Sequence, residues 1–193
     1  MTRTRAGRPL PRAFYERDTE IVARELLGAI LEHRVRGMRL RGRIVETEAY
    51  LGEHDPACHA AVGRTARTDP LYGPPGIAYV YFTYGMHWCL NAVTRAKGLP
   101  SAVLLRAVEP LDGIESMRRR RPRARNDAAL CDGPAKLCQA FAIDGRQNRA
   151  DLSRGPLRIL AGEPVPDALV RRTPRIGISR ARSWPLRWVA RAR

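Results

Sequence analysis

Between residues 18 and 50 the spacing of apolar side chains changes from the period of a helix to that of a strand, which limits the folds open to the chain. Residues 18–32, DTEIVARELLGAILE, set Ile21, Val22, Leu26, Leu27, Ile30 and Leu31 on one helical face, with Asp18 or Thr19 near the N-cap. From Met38 to Tyr50, after a turn at Arg36-Gly37, the stretch MRLRGRIVETEAY alternates and predicts a strand. Further strands are expected over 77–84 and 87–94, hinged at Gly85, and over 102–108. Helical patterns cover about 111–121 and 134–143, and beyond them short strands are expected over 157–160, 175–178 and 186–189. Strands in the middle and helices at the ends predict an α+β fold. The expected architecture is a single compact domain over 1–193, with a curved, mainly antiparallel sheet and flanking helices. Residues 1–10 and 190–193 are expected to be flexible.

A chain of 193 residues needs neither disulfides nor a structural metal to stand alone. No segment approaches the roughly 18 apolar residues of a membrane span, and the basic N-terminus lacks the apolar core of a signal peptide. The expected location is therefore cytoplasmic, with Cys58, Cys89, Cys131 and Cys138 as reduced thiols. Charge is more informative. Lys and Arg number 35 against 19 acids, a net charge of +16, which favours a polyanionic partner, nucleic acid ahead of membrane, and with it a nucleoid-associated location when bound to DNA. Only Lys97 and Lys136 are lysines, so a preference for Arg explains the choice of cation but not the excess.

Four stretches carry chemistry. Strict alternation over RIVETEAY would put Ile44, Glu46, Glu48 and Tyr50 on one face, with Val45, Thr47 and Ala49 opposite. Burying two carboxylates is costly without partners, so such a face has a task or an Arg, unless it lies on a solvated edge strand. Spacing alone leaves both readings open. In YVYFTYGM, Tyr79, Tyr81, Phe82 and Tyr84 suit base stacking beside a basic surface, and Tyr84 next to Gly85 fits an exposed wedge better than a core position. The long aperiodic loop 51–76 includes His54, Asp55, Cys58 and His59, whose spacing matches no closed zinc site; a pocket-lining or structural His is the better reading, and no metal is expected. In CDGPAKLC, Gly133 and Pro134 open a helix with Lys136 in its first turn, an arrangement able to hold a phosphate. No P-loop or GxGxxG is present, so no nucleotide cofactor is expected.

Taken together, these blocks resemble the alkyladenine (3-methyladenine) DNA glycosylase family. The resemblance runs from about Arg24 to Trp188 through ARELLGAIL, GRIVETEAYLG, the His59 loop, GRTAR, YGPPGIAYVYFTYGMHWCLN, VLLRAVEPLDG, LCDGPAKLCQAFAI, RADL and RIGIS. It implies Glu48 as the general base that activates water, with Arg106 and the backbone near Ile178 positioning that water. It implies Tyr50, His59 and Tyr81 as walls stacking on a flipped base, and Asn91 as the residue that discriminates against the 2-amino group of guanine. It further implies Tyr84, with Met86 beside it, as the wedge that enters the minor groove. The sequence departs from the family pattern at Thr68, where the GRTxRN form of the loop has Asn, and in a short Arg-rich C-terminus.

The activity implied is hydrolytic release of alkylated purines (3-methyladenine, 7-methylguanine, and by extension hypoxanthine or ethenoadenine) from double-stranded DNA, without metal or cofactor, by a monomer. Strand cleavage through a Schiff base would need an amine; only Lys97, Lys136 and the N-terminus could serve, and none lies in the pocket blocks, so no strand cleavage is expected. Two other classes fit the charge and size: an RNA- or tRNA-binding module, and a nucleoid protein that binds any duplex. The family's fold is itself similar to the tRNA-binding C-terminal domain of methionyl-tRNA formyltransferase. Neither alternative needs Glu48 and Arg106 facing an aromatic pocket.

Overall fold

A computed structural model of the chain describes residues 7–191. Two short helices, α1 (Arg12–Tyr15) and α2 (Thr19–Glu25), lead into strands β1 (Ile30–Val35) and β2 (Met38–Tyr50). After the long loop come the hairpin β3 (Ala78–Thr83) and β4 (His87–Val93), β5 (Ala102–Asp112), α3 (Ile114–Arg120) and α4 (Pro134–Phe141). Three short strands close the chain: β6 (Leu157–Leu160), β7 (Val170–Thr173) and β8 (Arg187–Ala190). All pairings are antiparallel, in the order β3-β4-β5-β2-β1-β6, with β8 joining the second half of β2 and β7 joining β8. The fold is α+β, as the sequence predicts.

The expected helix over 18–32 is cut short. Asp18 caps it by accepting from the Glu20 amide, but α2 ends at Glu25 because Gly28 sits at φ +89°, where a right-handed helix cannot continue. Ile30 and Leu31 still bury their side chains, though from β1, which pairs with β2 across a tight turn at Arg36 (φ 50°) and Gly37 (φ 74°). Apolar positions four residues apart, such as Leu26 and Ile30 or Leu27 and Leu31, satisfy either period over so short a stretch, and the glycine decides. Farther on, β5 runs to Asp112, so the helix expected from 111 starts at Ile114. Residues 175–178 form no strand, and β7 is an element that the sequence did not signal.

Of the terminal residues, 1–6 and 192–193 lie outside the described part. Gly7 and Leu10 bond the backbone of Ala161 and Ile159, and Ala190 belongs to β8. One face of the sheet packs on the helices around Leu26, Leu40, Leu90, Leu105, Met117 and Phe141. A smaller apolar cluster, with Cys58, Leu71, Ile77 and Tyr79, joins the long loop to β3. All four cysteines are free and buried.

The junction of β2 and β5 sets up the site. The register slips by one residue at Val45, extra on β2, and slips back at Arg106, extra on β5. Two compensating bulges therefore sit opposite one another. The first inverts the alternation of β2: Leu40 and Ile44 face the core, and beyond the bulge so do Thr47 and Ala49. Glu46, Glu48 and Tyr50 are turned to the opposite face. Ile44 does not share their face, contrary to simple alternation. The second bulge aims Arg106 at the same two glutamates.

Candidate active site

On the face away from the helices lies a cavity of about 700 Å³. The sheet contributes Tyr50, Tyr81, Asn91 and Arg106, the long loop His59 and Arg67, and the segment after β7 Ile176 and Ile178. Glu48 lies immediately beneath this lining and is fully buried. Its Oε2 accepts from the Tyr50 hydroxyl at 2.9 Å, and its Oε1 from the Ile176 amide at 2.8 Å. Arg106 Nη1 stands 3.3 Å from the same Oε1. Burial raises the Glu48 pKa above the ordinary carboxylate value, although Arg106, the Ile176 amide and Tyr50 each oppose the rise. A carboxylate so held is a stronger base than a free one.

Glu46 is tied differently. Its Oε1 accepts from Arg106 Nε at 2.7 Å and from Arg187 Nε at 2.6 Å, so two guanidinium groups neutralise it. Burial alone would lower the pKa of Arg106, but Glu48 and Glu46 outweigh it, and the guanidinium keeps its charge.

The aromatic walls come from elements far apart in sequence. The His59 and Tyr81 rings meet edge to face with centroids 4.5 Å apart, and His59 Nδ1 is 2.9 Å from the Tyr79 hydroxyl. Burial first, and then the charge of Arg67, lowers the His59 pKa, which leaves a neutral imidazole at physiological pH. Asn91, on β4, spends its Nδ2 on the carbonyl of Tyr79 at 3.0 Å, which fixes the amide at the pocket edge. Tyr84 stands at the mouth, 78% exposed, at φ 51° in the β3–β4 turn. A bulky residue there carries backbone strain of about 1–3 kcal/mol, a cost that tends to be kept at functional positions.

The fold thus brings Glu48, Arg106, Tyr50, His59, Tyr81, Asn91 and Tyr84 to one place. Met86 is exposed on the same hairpin tip but does not line the cavity. Lys136 does not line it either: its Nζ pairs with Asp132 at 2.7 Å, while Pro134 of the same helix reaches the pocket edge. Ile178 lines the cavity, but the amide that engages Glu48 belongs to Ile176.

Sequence reasoning missed a fully buried pair, Arg175 with Asp55, and the cations Arg67 and Arg180 at the rim. Asp55 lay in the stretch weighed for zinc, and Arg175 in one expected to form a strand; their pairing spans the chain, so no local pattern signals it. Among the described residues, no group of three or more His, Cys, Asp or Glu comes together as a metal would require. None of the described helices is long and apolar enough to cross a membrane.

Comparison with known proteins agrees with this geometry. The family model for methylpurine-DNA glycosylase (MPG) matches residues 13–193. A Myxococcus xanthus protein, provisionally named a 3-methyladenine DNA glycosylase, is 50% identical over 175 residues, which cover 91% of this chain and 84% of the relative. Similarly named proteins of Carboxydothermus hydrogenoformans and Salinibacter ruber are 49% and 48% identical, the first covering 93% of both chains and the second 95% of this chain and 94% of the relative. Matches on this scale, on a fold that holds a carboxylate beneath an aromatic cavity, define a DNA glycosylase, a hydrolase acting on N-glycosyl bonds in DNA repair. The chain belongs to the methylpurine-DNA glycosylase family.

Proposed function

We propose that this glycosylase acts as a monomer, flips an alkylated purine out of duplex DNA and hydrolyses its bond to deoxyribose with water activated by Glu48. The observation that carries this reading is a buried carboxylate of raised pKa beneath a cavity walled by Tyr50, His59 and Tyr81. Extrusion costs a few kcal/mol of lost stacking and pairing. Tyr84, exposed at the mouth, offsets part of that by filling the gap, with Met86 beside it on the hairpin tip. Aromatic walls recover more for a cationic base such as 3-methyladenine or 7-methylguanine, through cation–π attraction of about 0.5–2 kcal/mol per face.

Such a base already carries its positive charge and leaves without much acid catalysis. The chemical task left to the protein is to prepare water and to stabilise the sugar as it becomes oxocarbenium-like. A carboxylate has about four lone-pair sites. Ile176 bonds Oε1, where Arg106 forms an ion pair at 3.3 Å, and Tyr50 bonds Oε2, so the open site on Oε2 is the one that takes the water proton. Proton acceptance by a positioned base contributes about 10²–10⁴-fold, and the negative charge beneath the sugar adds electrostatic stabilisation. Asn91, locked on the Tyr79 carbonyl, is set to disfavour the 2-amino group of unmodified guanine; 7-methylguanine carries the same group but leaves despite it, because its cationic ring has already weakened the glycosidic bond. Neither Lys97 nor Lys136 lines the cavity, which favours simple hydrolysis over strand cleavage.

The test is single-turnover base release from a duplex carrying one 7-methylguanine. Wild type should release the base and leave an intact abasic strand, and Glu48→Gln should bind the same duplex yet turn over about 10²–10⁴-fold more slowly. Undiminished turnover by the variant removes Glu48 as the base.

A further inference from the structure

The segment after β7 crosses the cavity with little regular structure, yet it delivers the amide that meets Glu48. Its anchor is the preceding residue. Arg175 is buried, and its guanidinium grips Asp55 with both arms, Nη1 to Oδ2 at 2.5 Å and Nη2 to Oδ1 at 2.8 Å. Nη1 also donates to the carbonyl of Ala49 at 3.0 Å, and the guanidinium lies 4.7 Å from the centre of the Tyr50 ring. Asp55 is fixed in turn by the amides of Leu51 and Ala57. Both charged side chains have no exposure to solvent.

A buried ion pair is weak evidence of stabilisation, since a well-packed apolar pair often serves as well. What the fork provides is fixed geometry. It registers residue 175 against the carbonyl of Ala49 and the ring of Tyr50, the strand neighbours of Glu48, and so sets the position of the next amide along the chain. We propose that the Asp55–Arg175 pair is a positioning device that holds the Ile176 amide on Glu48 and so fixes the orientation of that carboxylate towards the sugar. The inference rests on the reading of Glu48 as the base. Burial opposes the charge on Asp55, but Arg175 and the two amides outweigh it and hold its pKa below the ordinary value, so the pair stays ionised throughout the working range.

The variants are Arg175→Lys, which keeps the charge and loses the fork, and Asp55→Asn. The expected result is a rate that falls about tenfold to a hundredfold, as a misplaced catalytic group costs. The acid limb of the pH–rate profile should move upward by about one pH unit, because the amide no longer favours ionised Glu48. Affinity for a duplex with an abasic-site analogue should stay within about twofold, because the geometry lost is that of the carboxylate and not of the DNA contacts. A folded variant with an unmoved limb and an unchanged rate overturns the proposal, as does a rate loss matched by lost affinity.

Unsubstituted protein decides the matter if neither variant folds. In ¹⁵N-labelled enzyme the Ile176 amide should exchange slowly, and its chemical shift should follow the ionisation of Glu48. A rapidly exchanging amide, indifferent to pH, rejects the device. An active Glu48→Gln enzyme would instead overturn the base assignment while leaving the amide measurement intact, so the two failures are distinguishable.

Discussion

Arg106 touches both glutamates, and replacing it separates two roles that a simple loss of activity would confuse. In Arg106→Met the core-facing half of β5 is unchanged and Glu46 keeps Arg187 at 2.6 Å, so the sheet should fold. Glu48 loses the cation 3.3 Å from its Oε1, the largest influence holding its pKa down. At an effective dielectric near 20, a unit pair at that separation is worth about 5 kcal/mol. That is an upper figure, because Arg106 is shared with Glu46; carboxylates beside a guanidinium shift by about 1–3 pH units. The base works only when deprotonated. A further rise in its pKa therefore moves the acid limb of the pH–rate profile upward by the same 1–3 units.

Measured on the acid limb, Arg106→Met should release 7-methylguanine about 10–1000-fold more slowly than wild type, and it should recover as pH rises past the new limb. Single-turnover rates, each corrected for the enzyme-free duplex at the same pH, give both curves. Parallel profiles, with the same loss at every pH, would refute the electrostatic account. They would mean that Arg106 acts by gripping DNA or by orienting water directly.

Two further predictions concern the wedge and the scaffold. Tyr84→Ala should leave thermal stability unchanged, because the ring is exposed, while weakening lesion binding by about 1–3 kcal/mol and shrinking the fluorescence change of a flipped base analogue; an unaltered signal removes Tyr84 as the wedge. Gly28→Ala and Gly37→Ala both force alanine into positive φ, at about 1–2 kcal/mol, or roughly 2–8 °C in Tm for a chain of this size. A Cβ on Gly28 would also lie 2.0 Å from the Glu163 carbonyl oxygen, whereas one on Gly37 meets nothing within 4 Å. The Gly28 variant should therefore lose at least twice as much, and equal losses in thermal melts would show that the backbone crossing yields.

What was legible in the sequence had a local period or a local cap. The turn at Arg36-Gly37, the full length of β2, the β3–β4 hairpin and the start of α4 all follow from signals a few residues long. The helix over 18–32 failed where apolar residues fitted two periods and Gly28 chose between them. The roles given to Glu48, Tyr50, His59, Tyr81 and Asn91 came from the family resemblance. The structure adds that the last four line one cavity with Glu48 beneath it, a fact of tertiary arrangement that no window of the sequence contains.

The bulges explain why spacing could not choose between the two carboxylates. With ideal alternation, Ile44 would share a face with Glu46 and Glu48, and the three would pack alike. One extra residue at Val45 inverts that half of the strand, and the matching extra residue at Arg106 brings a guanidinium between the glutamates. Glu46 then meets two cations and is neutralised, whereas Glu48 meets one cation, one amide and one hydroxyl in a buried setting, and its pKa rises. Two identical side chains, two positions apart on one face, thus acquire different chemistry from the partners that β5, β8 and the segment after β7 bring to each. Neither residue type nor spacing encodes it; the tertiary pairing of β2 with β5 and β8 does.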